Sequence, residues 1–174
     1  MIYPILAYGD NILRKEAEDY PRDSEDLTQL VENMFETMYS ANGIGLAAPQ
    51  VAINKQIIVI DCEPDNPDHE PLVLINPEIT KFGSELSQFE EGCLSIPGVY
   101  LDVERPEAIE VKFKDTNGKP KKIKASGLLS RVIQHEIDHL KGVMFVDRVD
   151  NELALNEALN EKGFSLKSVQ KVKS

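Results

Sequence analysis

The chain has no tryptophan, three histidines and two cysteines among its 174 residues. Two thiols, Cys62 and Cys93, cannot build a disulfide framework, so the composition points to a reducing, cytoplasmic setting. No run of about 18 apolar residues occurs, which excludes a membrane-spanning helix. Met1-Ile2-Tyr3-Pro4 is not a cationic segment leading into an apolar run, so neither a secretory signal nor a transit peptide is expected. Positive charge is scarce. The 19 Lys and Arg residues stand against 30 Asp and Glu, a formal net charge of −11. Such a field repels phosphate backbones and argues against nucleic acid as a direct substrate. Repeats and low-complexity tracts are absent too, and hydrophobic (41%) and charged (28%) residues stand near globular averages. The length predicts one domain over residues 1–174, with a flexible tail from about residue 163.

Periodicity then places the elements. Leu27, Leu30, Val31, Met34, Phe35, Met38 and Ala41 recur at helical spacing behind a cap at Asp23 or Ser24. Asn42-Gly43 reads as the stop, with Gly43 supplying the left-handed conformation. Gln56–Cys62 reads as a buried strand with Cys62 as a small core residue, and Glu63–Pro71, with His69, as a loop. Leu72–Thr80, Ser84–Glu91 and Ala108–Asp115 are further strands, and the Asp115–Gly118 turn joins the last of them to Lys121–Ala125 as a hairpin. A second helix runs from a Ser126 cap to about Leu140, closed by Lys141-Gly142. Leu128, Leu129, Val132, Ile133, Ile137 and Leu140 cover most of its circumference, so it should be buried centrally. A third helix fits Glu152–Glu161. The order helix, strands, buried helix is α+β.

The chemistry concentrates in Gln134-His135-Glu136-Ile137-Asp138-His139-Leu140. Two histidines four apart share one helix face and can reach one metal ion, with Glu136 beside them as a base. A catalytic tetrahedral site needs a third protein ligand, and Cys93, Cys62, His69 or a carboxylate can supply it. Cys93 sits in Glu91-Gly92-Cys93-Leu94-Ser95, where Phe89, Glu91 and Cys93 alternate onto one face and Gly92 allows close backbone approach. Gly43–Gln50 superficially fits a dinucleotide-binding glycine pattern. It follows a helix rather than a strand, however, and Pro49 would disrupt the helix it should open. An exposed backbone edge beside a cleft, with Gln50 as a hydrogen-bond donor, suits it better.

In this order, GIGLAAPQ, EGCLS and QHEIDHL resemble the three signatures of peptide deformylases, over about residues 1–150. The resemblance implies antiparallel or mixed sheets wrapped around a central metal-binding helix. It also implies removal of the formyl group from N-formylmethionyl nascent peptides. Cys93, His135 and His139 would bind one divalent metal, with water or hydroxide as the fourth ligand attacking the formyl carbon. The family implies Fe²⁺, with Zn²⁺, Ni²⁺ or Co²⁺ as replacements, although ligand softness and geometry alone favour Zn²⁺. Glu136 would be general base and then acid, and Gln50 with the Leu94 N–H would form the oxyanion hole. Ile44, Gly45 and Gly92 would pair with the substrate backbone, while Phe89, Leu128 and Val132, with Ile44, would line a pocket for the methionine side chain. The basic tail, with Lys162, Lys167, Lys171 and Lys173, would dock on the ribosome.

Some residues depart from the family pattern. Gly98-Val99-Tyr100 replaces a stretch that is often charged, and Arg131 stands where an apolar residue is expected. Asp138 reads either as a partner of a metal ligand or as an ion pair with Arg105. The main rival is a metalloendopeptidase, which the HExxH helix suits equally well and which needs no formyl group. A cysteine hydrolase with Cys93 as nucleophile and a metal-stabilised binding module are further alternatives.

Overall fold

The computed structural model describes residues 1–21 and 26–172. The expected cap at Asp23 or Ser24, and Lys173, therefore lie outside the described residues. Helix α1 (Leu27–Ser40) leads to the short strand β1 (Gly45–Ala47) and to β2 (Ile57–Ile60). Strands β3 (Leu72–Phe82), β4 (Leu86–Cys93), β5 (Ile96–Pro106), β6 (Ala108–Lys114) and β7 (Pro120–Ser126) follow. Helices α2 (Gly127–Leu140) and α3 (Glu152–Glu161) complete the chain. One sheet has the order β1-β2-β3-β6-β7, and β4 and β5 form a separate ribbon; every pairing between these strands is antiparallel. The expected α+β class is borne out.

Helix α2 lies between these two layers, and its sequence explains why. Ile133, Ile137 and Leu140 pack with Ile58, Ile60, Leu74, Val111 and Phe113 of the large sheet. The opposite face is polar. Arg131, Gln134 and Asp138 are buried, while Leu128 is exposed, so the expected nearly all-round apolar helix is corrected. Its start differs as well. Ser126 makes no side-chain cap; the Glu107 carboxylate accepts from the Gly127 N–H at 3.2 Å instead. The far end closes at Gly142, where φ is +75° and a Cβ would stand 2.5 Å from the Arg14 carbonyl oxygen. Only glycine fits there.

Helix α1 ends with Asn42, not Gly43, in the left-handed region (φ 58°). Asparagine tolerates this conformation because its short amide can bond locally. The expected strand over Ser84–Glu91 is shifted to β4, and β5, eleven residues long, was not foreseen. Its pattern is period two, with Val99, Leu101, Val103 and Arg105 all buried, but Pro97-Gly98 and the inward arginine mask it. Behind this ribbon, Ile96, Val99 and Val103 pack on Phe145, Leu155 and Leu159. The C-terminal segment reaches the same layer: Phe164 meets Tyr8 edge-on, and the Gln170 N–H donates to Asp147 at 2.8 Å. Among the described residues no helix is long and apolar enough to cross a membrane.

Candidate active site and metal centre

Cys93 is the last residue of β4, at a bulge beside the tight Leu94-Ser95 connection to β5. It faces His135 and His139 of α2, and one donor atom from each of the three lies within 4.8 Å of the others. Cys62 and His69 lie outside this cluster; His69 pairs with Glu63 at 3.1 Å. The Cys93 Sγ stands 3.3 Å from His139 Nε2. Among the described residues Nδ1 of His139 is buried without a partner, so what holds this ring lies on its Nε2 side, facing the thiol. His135 Nδ1 bonds the Glu91 carboxylate at 2.9 Å, which leaves Nε2 for the cluster. A soft thiolate and two imidazoles with converging nitrogens are a donor set suited to a divalent transition metal.

Burial holds the His139 imidazole well below its usual pKa, hence neutral, as a ligand must be. Burial also opposes charge on His135, but hydrogen bonds to Cys93 and Glu91 outweigh it and raise its pKa. Metal binding would displace that proton. Glu91 is held well below the usual carboxylate range because bonds from His135 and Arg105 overcome its burial. Glu136 behaves in the opposite way. Burial pushes its carboxyl up to about 7 against the opposing charge of His135. A group titrating near neutrality can both take and give a proton.

The cluster opens onto a cleft of about 610 Å³. Ile44, Phe89, Leu128 and Val132 form apolar walls, with His135 and Glu136 at the base. Gly45, Gln50, Gly92, Cys93 and Leu94 also line it, and of the expected site residues only His139 does not. Gln50 sits in a single helical turn, Ala48–Val51, and its Oε1 accepts from the Ala47 N–H at 2.9 Å. This fixes Nε2 toward Ser95 Oγ (3.1 Å) and Cys93 Sγ (3.6 Å). The reason for Gly92 differs from the expectation. The Tyr100 ring, not another backbone, lies where a Cβ would be, with Cε1 at 2.5 Å.

A family model described as polypeptide deformylase matches residues 2–154. The chain belongs to this family. It is 63% identical over 164 residues to a peptide deformylase of Picosynechococcus, covering 94% of this chain and 88% of that protein. It is similar to the crystal structure of a Synechococcus elongatus peptide deformylase in complex with actinonin, with TM-score 0.96, 57% identity, and 98% and 92% of the two chains covered. A Met-Ala-Ser-bound class I type b peptide deformylase of Acinetobacter baumannii also matches, with TM-score 0.79, 38% identity, and 86% and 99% covered.

Against this family background, Glu91, Arg105, Arg131, Asp138 and Arg148 form one polar chain, buried except at Arg148, of which sequence reasoning offered only the Asp138–Arg105 pair. Arg105 donates to both oxygens of Glu91 (2.6 and 3.0 Å) and to Asp138 at 2.9 Å. Arg148 binds Asp138 through two further bonds, of 2.6 and 2.9 Å. Asp138 is therefore an ion-pair residue of Arg105, one of its two expected roles. Arg131, where an apolar residue was expected, reaches Glu91 as a second cation at 2.6 Å. The available signal was charge balance: buried charges must be paired, so inward-facing Arg105 and Arg131 called for acidic partners such as Glu91 and Asp138.

Proposed function

We propose that the chain hydrolyses N-formylmethionyl nascent peptides, releasing formate and a free α-amine. The observation that carries this reading is the Cys93, His135 and His139 cluster with Glu136, opening on a cleft with apolar walls in a chain of the deformylase family. The Acinetobacter relative bound to Met-Ala-Ser, a peptide that begins with methionine, supports the same substrate class.

Cys93, His135 and His139 hold one divalent cation. When bound, the cation acts as a Lewis acid and lowers the pKa of water so that hydroxide is available near neutral pH. The side chains of the chain do the rest. Glu136 takes a proton from the attacking water as its oxygen adds to the formyl carbon, then delivers it to the departing nitrogen as the C–N bond breaks. The Gln50 Nε2 and the Leu94 N–H donate to the formyl oxygen as it gains charge. The edges at Ile44, Gly45 and Gly92 pair with the extended substrate backbone, and the methionine side chain enters between Ile44, Phe89, Leu128 and Val132. Fe²⁺ is the cation, with Zn²⁺, Ni²⁺ or Co²⁺ as replacements. The thiolate partly neutralises it, which places more of the proton transfer on Glu136.

Nascent chains as substrate imply work in the cytoplasm and contact with the ribosome through Lys162, Lys167 and Lys171. Lys162 and Lys167 are exposed, so reversing both charges should reduce co-sedimentation with ribosomes; unchanged co-sedimentation would remove this partner. The deciding assay compares a formyl-Met tripeptide, its acetyl analogue and an unblocked longer peptide, using anaerobically prepared protein. Formate should appear from the first alone. Cleavage of the longer peptide without formate would establish the metalloendopeptidase instead.

A further inference from the structure

Arg131 lies one helical turn before His135 in α2 and lines the cleft, yet it holds no metal and touches no reacting atom. Its side chain is only 8% exposed, so its bonds replace nearly all of its hydration. Nη1 donates to Glu91 Oε2 at 2.6 Å and to the Val103 carbonyl at 2.9 Å. Nη2 donates to the Ser87 carbonyl at 2.9 Å and to Ser87 Oγ at 3.2 Å. The guanidinium carbon stands 5.7 Å from the centroid of the Phe89 ring. One planar group thus joins helix α2 to β4 at three alternate residues and to β5 at one.

These bonds are not equivalent. Glu91 already has two bonds from Arg105 and one with His135, so it keeps a counter-charge and its hold on His135 without Arg131. Ser87 and Phe89 depend on it more. Among the described residues, β4 pairs only with β5, and the guanidinium supplies the side-chain hydrogen bonds that tie Ser87 to α2. Phe89 is 55% exposed and forms the cleft wall on the β4 side, opposite Leu128 and Val132 on α2. We propose that Arg131 is a positioning residue for substrate selection. It sets where the Phe89 wall stands, and with it the depth of the pocket for a long, unbranched apolar first side chain, without tuning the reacting centre. This rests on the deformylase reading of the cleft. Lysine cannot replace it, because a single ammonium cannot reach Glu91, Val103 and Ser87 in one plane.

The test compares wild type, Arg131→Met and Arg131→Lys on formyl-Met-Ala-Ser and formyl-Ala-Ala-Ser, together with metal content and amide exchange at residues 87–89 of the metal-free protein. For Arg131→Met, KM for the methionine peptide should rise about tenfold, with kcat held within about twofold, the alanine peptide unaffected and metal content unchanged. Amide exchange at residues 87–89 should quicken in both variants, and Arg131→Lys should lose the same selectivity. Equal losses on both peptides, loss of metal, or full recovery by lysine would overturn the proposal. If the wild type releases no formate, the functional reading fails instead. The exchange comparison still decides the positioning role, and unchanged exchange at residues 87–89 would end it.

Discussion

Gly45 and Glu136 are in contact: a Cβ on Gly45 would stand 3.0 Å from Glu136 Oε2 and 2.9 Å from Val132 Cγ1. The β1 edge and the buried carboxylate therefore share space that only a residue without a side chain leaves open. Gly45→Ala should displace the carboxylate and lower kcat/KM for a formyl-Met peptide by about 10- to 100-fold. Metal content should stay at the wild-type level, which separates a shifted base from a lost cation.

Replacing the carboxylate by its amide removes proton transfer but leaves Cys93, His135 and His139 in place. Glu136→Gln should reduce formate release by at least about 10²-fold. Metal analysis of the same sample should show no change; a variant that lost metal as well would give Glu136 a structural role.

Two buried carboxyls, Glu136 and Glu91, should contribute to the pH dependence of stability in opposite senses. The Glu136 carboxyl rises from 4.5 to about 7 on folding. Between these values the folded chain keeps a proton that the unfolded chain has released, so stability falls as pH rises through the window and then levels off. Glu91 works in the opposite sense, contributing stability above its unfolded pKa that is lost on acidification. For the metal-free protein, urea titrations should show the Glu136 component as a loss on the order of 3 kcal/mol between pH 4.5 and 7. In Glu136→Gln that component should disappear, leaving the contribution of the shifted His135 and His139.

The ion pairs should differ sharply in value. Arg105→Met strands Glu91 and Asp138, both buried, with fewer counter-charges, and should cost about 3–5 kcal/mol in urea unfolding. Lys112→Ala breaks an exposed pair with Glu78 at 3.2 Å and should cost less than about 1 kcal/mol.

Metal identity is read by loading. Protein reconstituted with Fe²⁺ under anaerobic conditions should lose formate release on exposure to peroxide, because a ferrous ion beside the Cys93 thiolate is readily oxidised. Zn²⁺-loaded protein should be slower at the start and should keep more of its activity. Full retention in the iron sample would count against iron.

Local chemistry was legible in the sequence wherever it repeats along the chain. The 3.6-residue period placed α2 and set His135 and His139 on one face, and a nearly continuous β-branched run placed β2. The Asn117-Gly118 turn closed the hairpin as expected, with Gly118 at φ +78°. The residues around GIGLAAPQ, EGCLS and QHEIDHL proved to share one cleft, but the spacing alone left the third ligand open among Cys93, Cys62, His69 and a carboxylate. Only the tertiary structure decided that Cys93 meets the histidines. It also decided that Glu91 anchors His135 across 44 positions and that Arg131 turns to Glu91 across 40. The physical reason is that burial dictates pairing without dictating the partner. A charge inside α2 must find its counter-charge, and the fold brings that partner from a strand 40 residues away, a pairing that no periodic pattern encodes.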